Sequence, residues 1–396
     1  MPYDFETLVS RLNAGSVKWE GMKRLDPSPD DSIVPLSVAD MEFKNPPEVM
    51  EGLKEYLDSH ILGYACPTEG YLSAVQGWMK ERHQWEIEKE WIVGSPGVVS
   101  ALYAAVRAYS KPGDGVLLLT PVYPPFYSAA EQTGRKVVRS PLVCRDGHYR
   151  IDFEDLSRKA AQPDCTVMLL CSPHNPVGRV WTEEELRKIG EICLQNGVTV
   201  VADEIHSDLI MPGYTHTVFA SLGKEFAEHS IVCTAPSKTF NLAGMQTSNI
   251  LIPNEEMREK FAAQMDLNAV HALNILGYRA CEIAYTRCAA WLDALIGVLA
   301  ENHRMVCRFL AEHFPMVRIY PLEGTYLEWI DFRGLGLSAE ELESFMQKDA
   351  RLYLDEGYIF GEEGKGFERI NIACPSWVLS ASLERLLSAA QKRGLI

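Results

Sequence analysis

This sequence predicts an α/β fold: a mostly parallel sheet with helices on both faces, plus a smaller α/β domain. Three observations carry that expectation. Short runs of near-continuous apolar residues recur through the middle of the chain, as in strands covered on both faces. A segment with helix start and stop signals separates two of them, which is βαβ grammar. The 396 residues, 47% of them apolar, suffice for one large or two medium cores.

In chain order, residues 1–45 read as a short, irregular segment rich in aromatic and turn residues. It is expected to pack on the small domain and on a partner subunit. Residues 46–284 form the large domain. Its strands are VLLLT (116–120), TVMLLC (166–171), VTVVA (198–202) and IVCTA (231–235). Between the second and third lies TEEELRKIGEICLQNG. Thr182 caps this helix, Glu185 closes a capping box, Leu186, Ile189 and Cys193 form its inward stripe, and Gly197 ends it. A long helical pattern then runs from about Glu255 into the 310s. Residues 285–396 form the small domain, with strands in GTYLEWIDF and FERINIAC. Its last helix is expected to start near Ser380, bury Leu383, Leu386, Leu387 and Ala390, and stop before Gly394.

Several function classes are disfavoured. The formal net charge of -16 opposes a nucleic-acid or anionic-membrane surface. No apolar run is long enough to span a bilayer. The opening MPYDFETLVS has no basic and then apolar signal pattern, so a cytoplasmic location is expected. The ten cysteines form no CxxC pair and read as mostly reduced, buried small hydrophobes. HExxH, the Walker loop and the glycine-rich dinucleotide fingerprint are all missing, and no metal site is expected.

The strand ends are more informative, because open parallel sheets bind ligands beyond their carboxyl edges. VLLLT leads into PVYPPF with Tyr123, and TVMLLC into SPHNPVG with Asn175. VTVVA is followed by Asp203, Glu204 and then His206, and IVCTA by Ser237 and Lys238. An amine in a partly desolvated site is a nucleophile that couples to aldehydes. A buried carboxylate keeps a pyridine nitrogen protonated, an amide donates to a ring hydroxyl, and an aromatic face covers a flat ring. In VGSPGVVSALYAAV, Gly97 and Val98 open a helix whose free N–H groups suit a phosphate. Taken singly, each has a plain alternative. Lys238 reads as solvated, Asp203 as a helix cap, Asn175 as a turn residue, Tyr123 as core and His206 as a satisfied buried histidine. The ordered set of Tyr, Asn, Asp and Lys points to one site.

The motifs HNPVGRVW, ADEIHSDL, APSKTFNLAG, EGTYLEWIDFR and RINIACPS resemble the aspartate-aminotransferase-like fold of pyridoxal 5′-phosphate (PLP) enzymes along essentially the whole chain. GSVKWEGMK, LSVADMEF and GYACPTEGY are similar to the bacterial cystathionine beta-lyase, or carbon–sulfur lyase, branch. The resemblance implies PLP as cofactor and Lys238 as the Schiff-base lysine and proton shuttle. It implies Asp203 on the pyridine nitrogen, Asn175 on the ring hydroxyl and Tyr123 stacked on the ring. Gly97, Val98 and Ser237 would share the phosphate cup with Tyr64 lent by a neighbouring subunit, and Arg369 would clamp the substrate carboxylate. The plain alternative for Arg369 is a surface salt bridge. A homodimer with shared active sites follows from the part given to Tyr64.

Two positions depart from the common aminotransferase pattern. His206 stands three after Asp203, where tyrosine is usual, and Gln246 stands eight after Lys238, where a phosphate-binding arginine is usual. Both departures occur in the lyase branch. The expected reaction is therefore cleavage of cystathionine or related cysteine S-conjugates to a thiol, pyruvate and ammonia. The alternative is amino transfer to a keto acid. A regulator using the same fold is disfavoured by the intact constellation. Trp19 and Met41, with the stretch from Tyr123 to Tyr127, read either as a pocket rim or as core and interface packing.

Overall fold

The computed structural model describes residues 3–30 and 32–396. Its main sheet has seven strands in the spatial order Ile92–Ser95, Ser248–Leu251, Ser230–Thr234, Thr199–Asp203, Cys165–Cys171, Gly115–Thr120 and Lys136–Pro141. Ser248–Leu251 pairs antiparallel with both neighbours, and every other pairing is parallel. The four strands read from sequence fall within one residue of their observed bounds.

Alternation explains the unbroken apolar runs. Leu117, Leu119, Met168, Leu170, Val200 and Ala202 face one core, with the helices Phe153–Ala160 and Glu183–Gln195. Val116, Leu118, Val167, Leu169, Val201 and Ile231 face the other, with Val98–Tyr109 and Pro124–Glu131. With both faces covered, successive residues must all be apolar. Thr182 and Glu185 form the expected capping box, and Gly197 follows the helix at a left-handed φ of 66°.

The second sheet is antiparallel and has four strands: Arg318–Ile319, Leu327–Asp331, Phe367–Asn371 and Asp355–Glu356. Helices Ala289–His313 and Ser376–Arg393 pack with it, and Asn302 donates to the carbonyls of Ile372 and Cys374. The final helix starts four residues before the expected Ser380, because Val378 and Leu379 extend its buried stripe; Leu387 is only half-buried.

Two further expectations are corrected. The helical pattern from Glu255 is three helices, Glu255–Leu267, Ile275–Arg287 and Ala289–His313, with a 79° bend between the last two. Asn274 caps the second by accepting from Gly277 N, a local hydrogen bond that competes with helix continuation. Residues 1–45 are not wholly irregular, since Val17–Leu25 is helical. That helix buries Lys18 and Trp19 against Glu42, whose carboxylate lies 2.6 Å from Lys18 Nζ and accepts from Trp19 Nε1. The segment does pack on the small sheet: Asn371 N donates to Leu36 O, and Leu36 N to Tyr353 O. Among the described residues, no single helix is long and apolar enough to cross a membrane.

Gly277 marks a close approach. A Cβ there would overlap Thr247 Oγ1 and the Met245 carbonyl. Gly277→Ala is expected to destabilise the fold by about 1–3 kcal/mol, the usual cost of overpacking. Chemical denaturation checks this as a lower midpoint at unchanged slope.

Candidate active site

The carboxyl ends of the parallel strands converge on one cavity of about 200 Å³. Eight residues expected from sequence line it: Gly97, Val98, Tyr123, Asn175, Asp203, His206, Ser237 and Lys238. Asp203 is the last residue of its strand, and Lys238 sits in the short turn of helix Pro236–Thr239. Arg369 adjoins the cavity through Asn175. It is buried, not the surface salt bridge of the plain reading. Tyr64 is fully exposed on the stretch 60–68 and does not line the cavity of its own chain.

Electrostatics set the character of the site. Burial pulls the Lys238 amine down to about 8; Asp40 and Asp203 oppose this, while Arg369 and Lys18 reinforce it. Lys238 Nζ donates to the Ala39 carbonyl at 2.7 Å. Burial pushes Asp203 up to about 7 against the Ile205 N–H and Lys238. A cation placed beside that carboxylate would restore its charged form. Burial, Lys238 and Arg369 hold His206 well below its ordinary value, so it is a neutral imidazole, and its Nδ1 has no partner among the described residues. Burial also raises the Tyr123 hydroxyl.

Asn175 links the cavity to Arg369. Arginine only donates, so the amide oxygen faces it: Arg369 Nη1 donates to Asn175 Oδ1 at 2.8 Å. The Asn175 NH2 is left to donate elsewhere. Arg369 Nη2 donates to Asp355 Oδ2 at 2.5 Å, Nε is unpartnered among the described residues, and the guanidinium lies over the Phe360 ring.

At the other end, Gly97 caps helix Val98–Tyr109 with φ 105°, a conformation that favours glycine. Ser237, Gln246, Thr247 and Ser248 line the same end, and Ser248 Oγ is buried without a partner among the described residues. Helix N–H groups, hydroxyls and an amide fit a phosphate bound without a dedicated arginine. Together with an amine of lowered affinity for protons and a carboxylate lacking a cation, this donor set fits a phosphorylated pyridine aldehyde.

Thr247, Ser248 and the Ala39 carbonyl went unread in the sequence. Gln246 drew notice only as a departure. Ala39 follows Val38, whose φ of 57° is unusual for a β-branched residue, but nothing in the residue types announces it. Trp19 is core and lines no part of this cavity, and buried Met41 lines a separate groove along the N-terminal segment. Tyr127 donates to the Phe360 carbonyl.

Comparison with known proteins agrees with this geometry. Residues 31–386 match the family aminotransferase class I and II. The chain is 45% identical to cystathionine beta-lyase PatB of Bacillus subtilis, over 98% of this chain and 99% of that one. Cystalysin from Treponema denticola, whose crystal structure contains pyridoxal 5′-phosphate, superposes with a TM-score of 0.98 at 50% identity, covering 99% and 100% of the two chains. The PLP-bound C-S lyase from Staphylococcus hominis gives 0.90 at 31%, covering 98% of each. The chain belongs to the aminotransferase class I and II family, in the branch of cystathionine beta-lyases and carbon–sulfur lyases.

The lowered Lys238 amine has a direct consequence. Only the neutral amine is nucleophilic, so its reactivity should rise with pH and level off above about 8. Trace acetylation of protein cleared of carbonyl compounds, read by peptide mass, checks this. A rise continuing into the ordinary lysine range near 10.4 would contradict it.

Proposed function

We propose that this member of the aminotransferase class I and II family is a PLP-dependent carbon–sulfur beta-lyase. Its substrates would be cystathionine or related cysteine S-conjugates, and its products a thiol, pyruvate and ammonia. The carrying observation is the 45% identity to a cystathionine beta-lyase over essentially the full length, in a chain whose cavity pairs Lys238 with Asp203.

When bound, PLP supplies an electron sink for the charge left on an amino acid's α-carbon after deprotonation. The chain's residues then divide the work. Lys238 would anchor the cofactor aldehyde, and its free amine would take the proton from the substrate Cα as general base. Asp203 would hold the ring nitrogen protonated, and the Asn175 NH2 would donate to the ring hydroxyl. Tyr123 would cover the ring, and His206, a neutral imidazole, lines the same cavity. Gly97, Val98 and Ser237, together with Thr247, Ser248 and Gln246, would hold the phosphate. Arg369 takes the substrate carboxylate in a bidentate grip that fixes the Cα–H bond for removal. The leaving sulfur departs as a thiol after protonation by Lys238, with Tyr64 or Tyr123 assisting.

Tyr64 needs a second copy of the chain. Ile61 at 90% and Leu62 at 58% exposure accompany it on the stretch 60–68, apolar groups that a homodimer would cover. Amino transfer is the second reading. It is supported by the family itself and by the fact that every residue above serves both routes.

Purified protein given cystathionine, and separately S-alkyl cysteines, should release pyruvate and free thiol in equal amounts without added keto acid. Turnover that requires a keto acid and yields a new amino acid would establish the second reading instead. Lys238→Ala should lower turnover by at least about 10³-fold. The mutant should also lose the borohydride-reducible protein–PLP bond while far-ultraviolet circular dichroism stays unchanged. Survival of that bond would exclude this lysine as the anchor.

A further inference from the structure

Outside the cavity, three reactive side chains meet between the small sheet and the helix Ala289–His313. That helix carries His303 and Cys307 one turn apart, on neighbouring positions of one face. Strand Leu327–Asp331 sends Glu328, fully buried, toward it. His303 Nδ1 lies 2.5 Å from Glu328 Oε1. A carboxylate only accepts, so Nδ1 carries the proton. The second carboxylate oxygen, Oε2, is buried with no hydrogen-bond partner among the described residues. Cys307 Sγ lies 3.7 Å from both ring nitrogens.

Each part has a chemical consequence. Burial opposes a charge on His303, but Cys307 and Glu328 outweigh it and lift the imidazole to about 10. The ring is therefore a cation at neutral pH, held 3.7 Å from a part-exposed sulfur, the kind of electropositive surrounding in which reactive cysteines are found. Cys307 is part-exposed, so the sulfur is reachable. The three groups do not form a metal cage: no His, Cys, Asp or Glu cluster among the described residues is arranged to hold a metal.

The other nine cysteines differ. Cys165, Cys171, Cys193, Cys233, Cys281, Cys288 and Cys374 are buried, and burial pushes each thiol up. Cys66 and Cys144 are exposed. Reactivity set by exposure alone would favour those two.

We propose that Cys307, activated by the His303–Glu328 pair, is a modification site that undergoes thiol–disulfide exchange with low-molecular-weight disulfides. The Cys307 thiolate attacks one sulfur of R–S–S–R. A Cys307–S–S–R bond forms, the original S–S bond breaks, and RS⁻ leaves with the electron pair and takes a proton from water. The protein thiol is oxidised and half of the small disulfide is reduced. The site stands apart from Lys238 and requires no particular reaction there.

The test uses the intact protein and hydroxyethyl disulfide at neutral pH, with adducts quantified by peptide mass over time. Cys307 should react about tenfold faster than Cys144, as expected of a sulfur beside a fixed cation. His303→Gln, which keeps a donor toward Glu328, should remove that advantage while leaving Cys144 unchanged; Glu328→Gln should reduce it. Cys307→Ser should delete the fast adduct alone. Modification of Cys144 as fast as Cys307, or an undiminished Cys307 rate in His303→Gln, would overturn the proposal.

Discussion

Lys238 and Asp203 share a cavity where each would be better solvated in water, and the surrounding structure is arranged around that cost. Isolated charges in a dry interior shift toward neutrality. Here the amine falls to about 8 and the carboxyl rises to about 7, each driven first by its own burial and only partly relieved by the other. Both are thereby drawn toward neutrality from opposite sides of it. Under the proposed function this would suit a nucleophile that also moves protons, and a carboxyl that gains its charge when a cation arrives. Asp203 ends the strand Thr199–Asp203, and Lys238 lies just beyond the adjacent parallel strand Ser230–Thr234, in the short helix Pro236–Thr239.

The supporting contacts follow from this constraint. With few charges available, the cavity relies on backbone and neutral groups. The Ala39 carbonyl takes the amine, and Gly97 and the hydroxyls of Ser237, Thr247 and Ser248 gather at the end suited to an anion. Arg369, a permanent cation, is kept out of the cavity lining by Asn175 and Asp355. Under the proposed function, a substrate carboxylate would have to compete with Asp355 for the guanidinium. The N-terminal segment completes the enclosure from a distance in sequence: Val38 N donates to Asp355, and Asn371 Nδ2 donates to the Val38 carbonyl.

What could be read from sequence tracks how each residue acts. The strands were legible because burial on both faces leaves an apolar run, and the helix Glu183–Gln195 because its capping box is written in residue types. Lys238, Asp203, Asn175 and Tyr123 were legible because their side-chain chemistry is distinctive and each follows a strand. Thr247, Ser248 and Ala39 were not. They contribute a small hydroxyl or a main-chain carbonyl, which nearly any sequence offers, and only the fold brings them to the cavity. The break before Ile275 was missed because Asn274 caps by a single local hydrogen bond inside an otherwise helical pattern. Tyr64 is a different case, since its proposed part depends on a surface that one chain does not contain.

The strand Leu327–Asp331 shows how one element serves two chemistries. Side chains alternate across a sheet, so adjacent residues face opposite ways. Trp329 lies opposite Arg369 in the antiparallel register and packs with Phe360 and Phe367, on the side where the guanidinium reaches Asn175. Glu328 lies opposite Ile370 and points the other way, to His303 on the helix Ala289–His313. A carboxylate buried between sheet and helix is costly unless something answers its charge, and His303 does so. Once protonated, that imidazole becomes a fixed cation 3.7 Å from a part-exposed sulfur. The reactivity inferred for Cys307 is thus a by-product of burying Glu328, separated from the arginine site by the thickness of one strand.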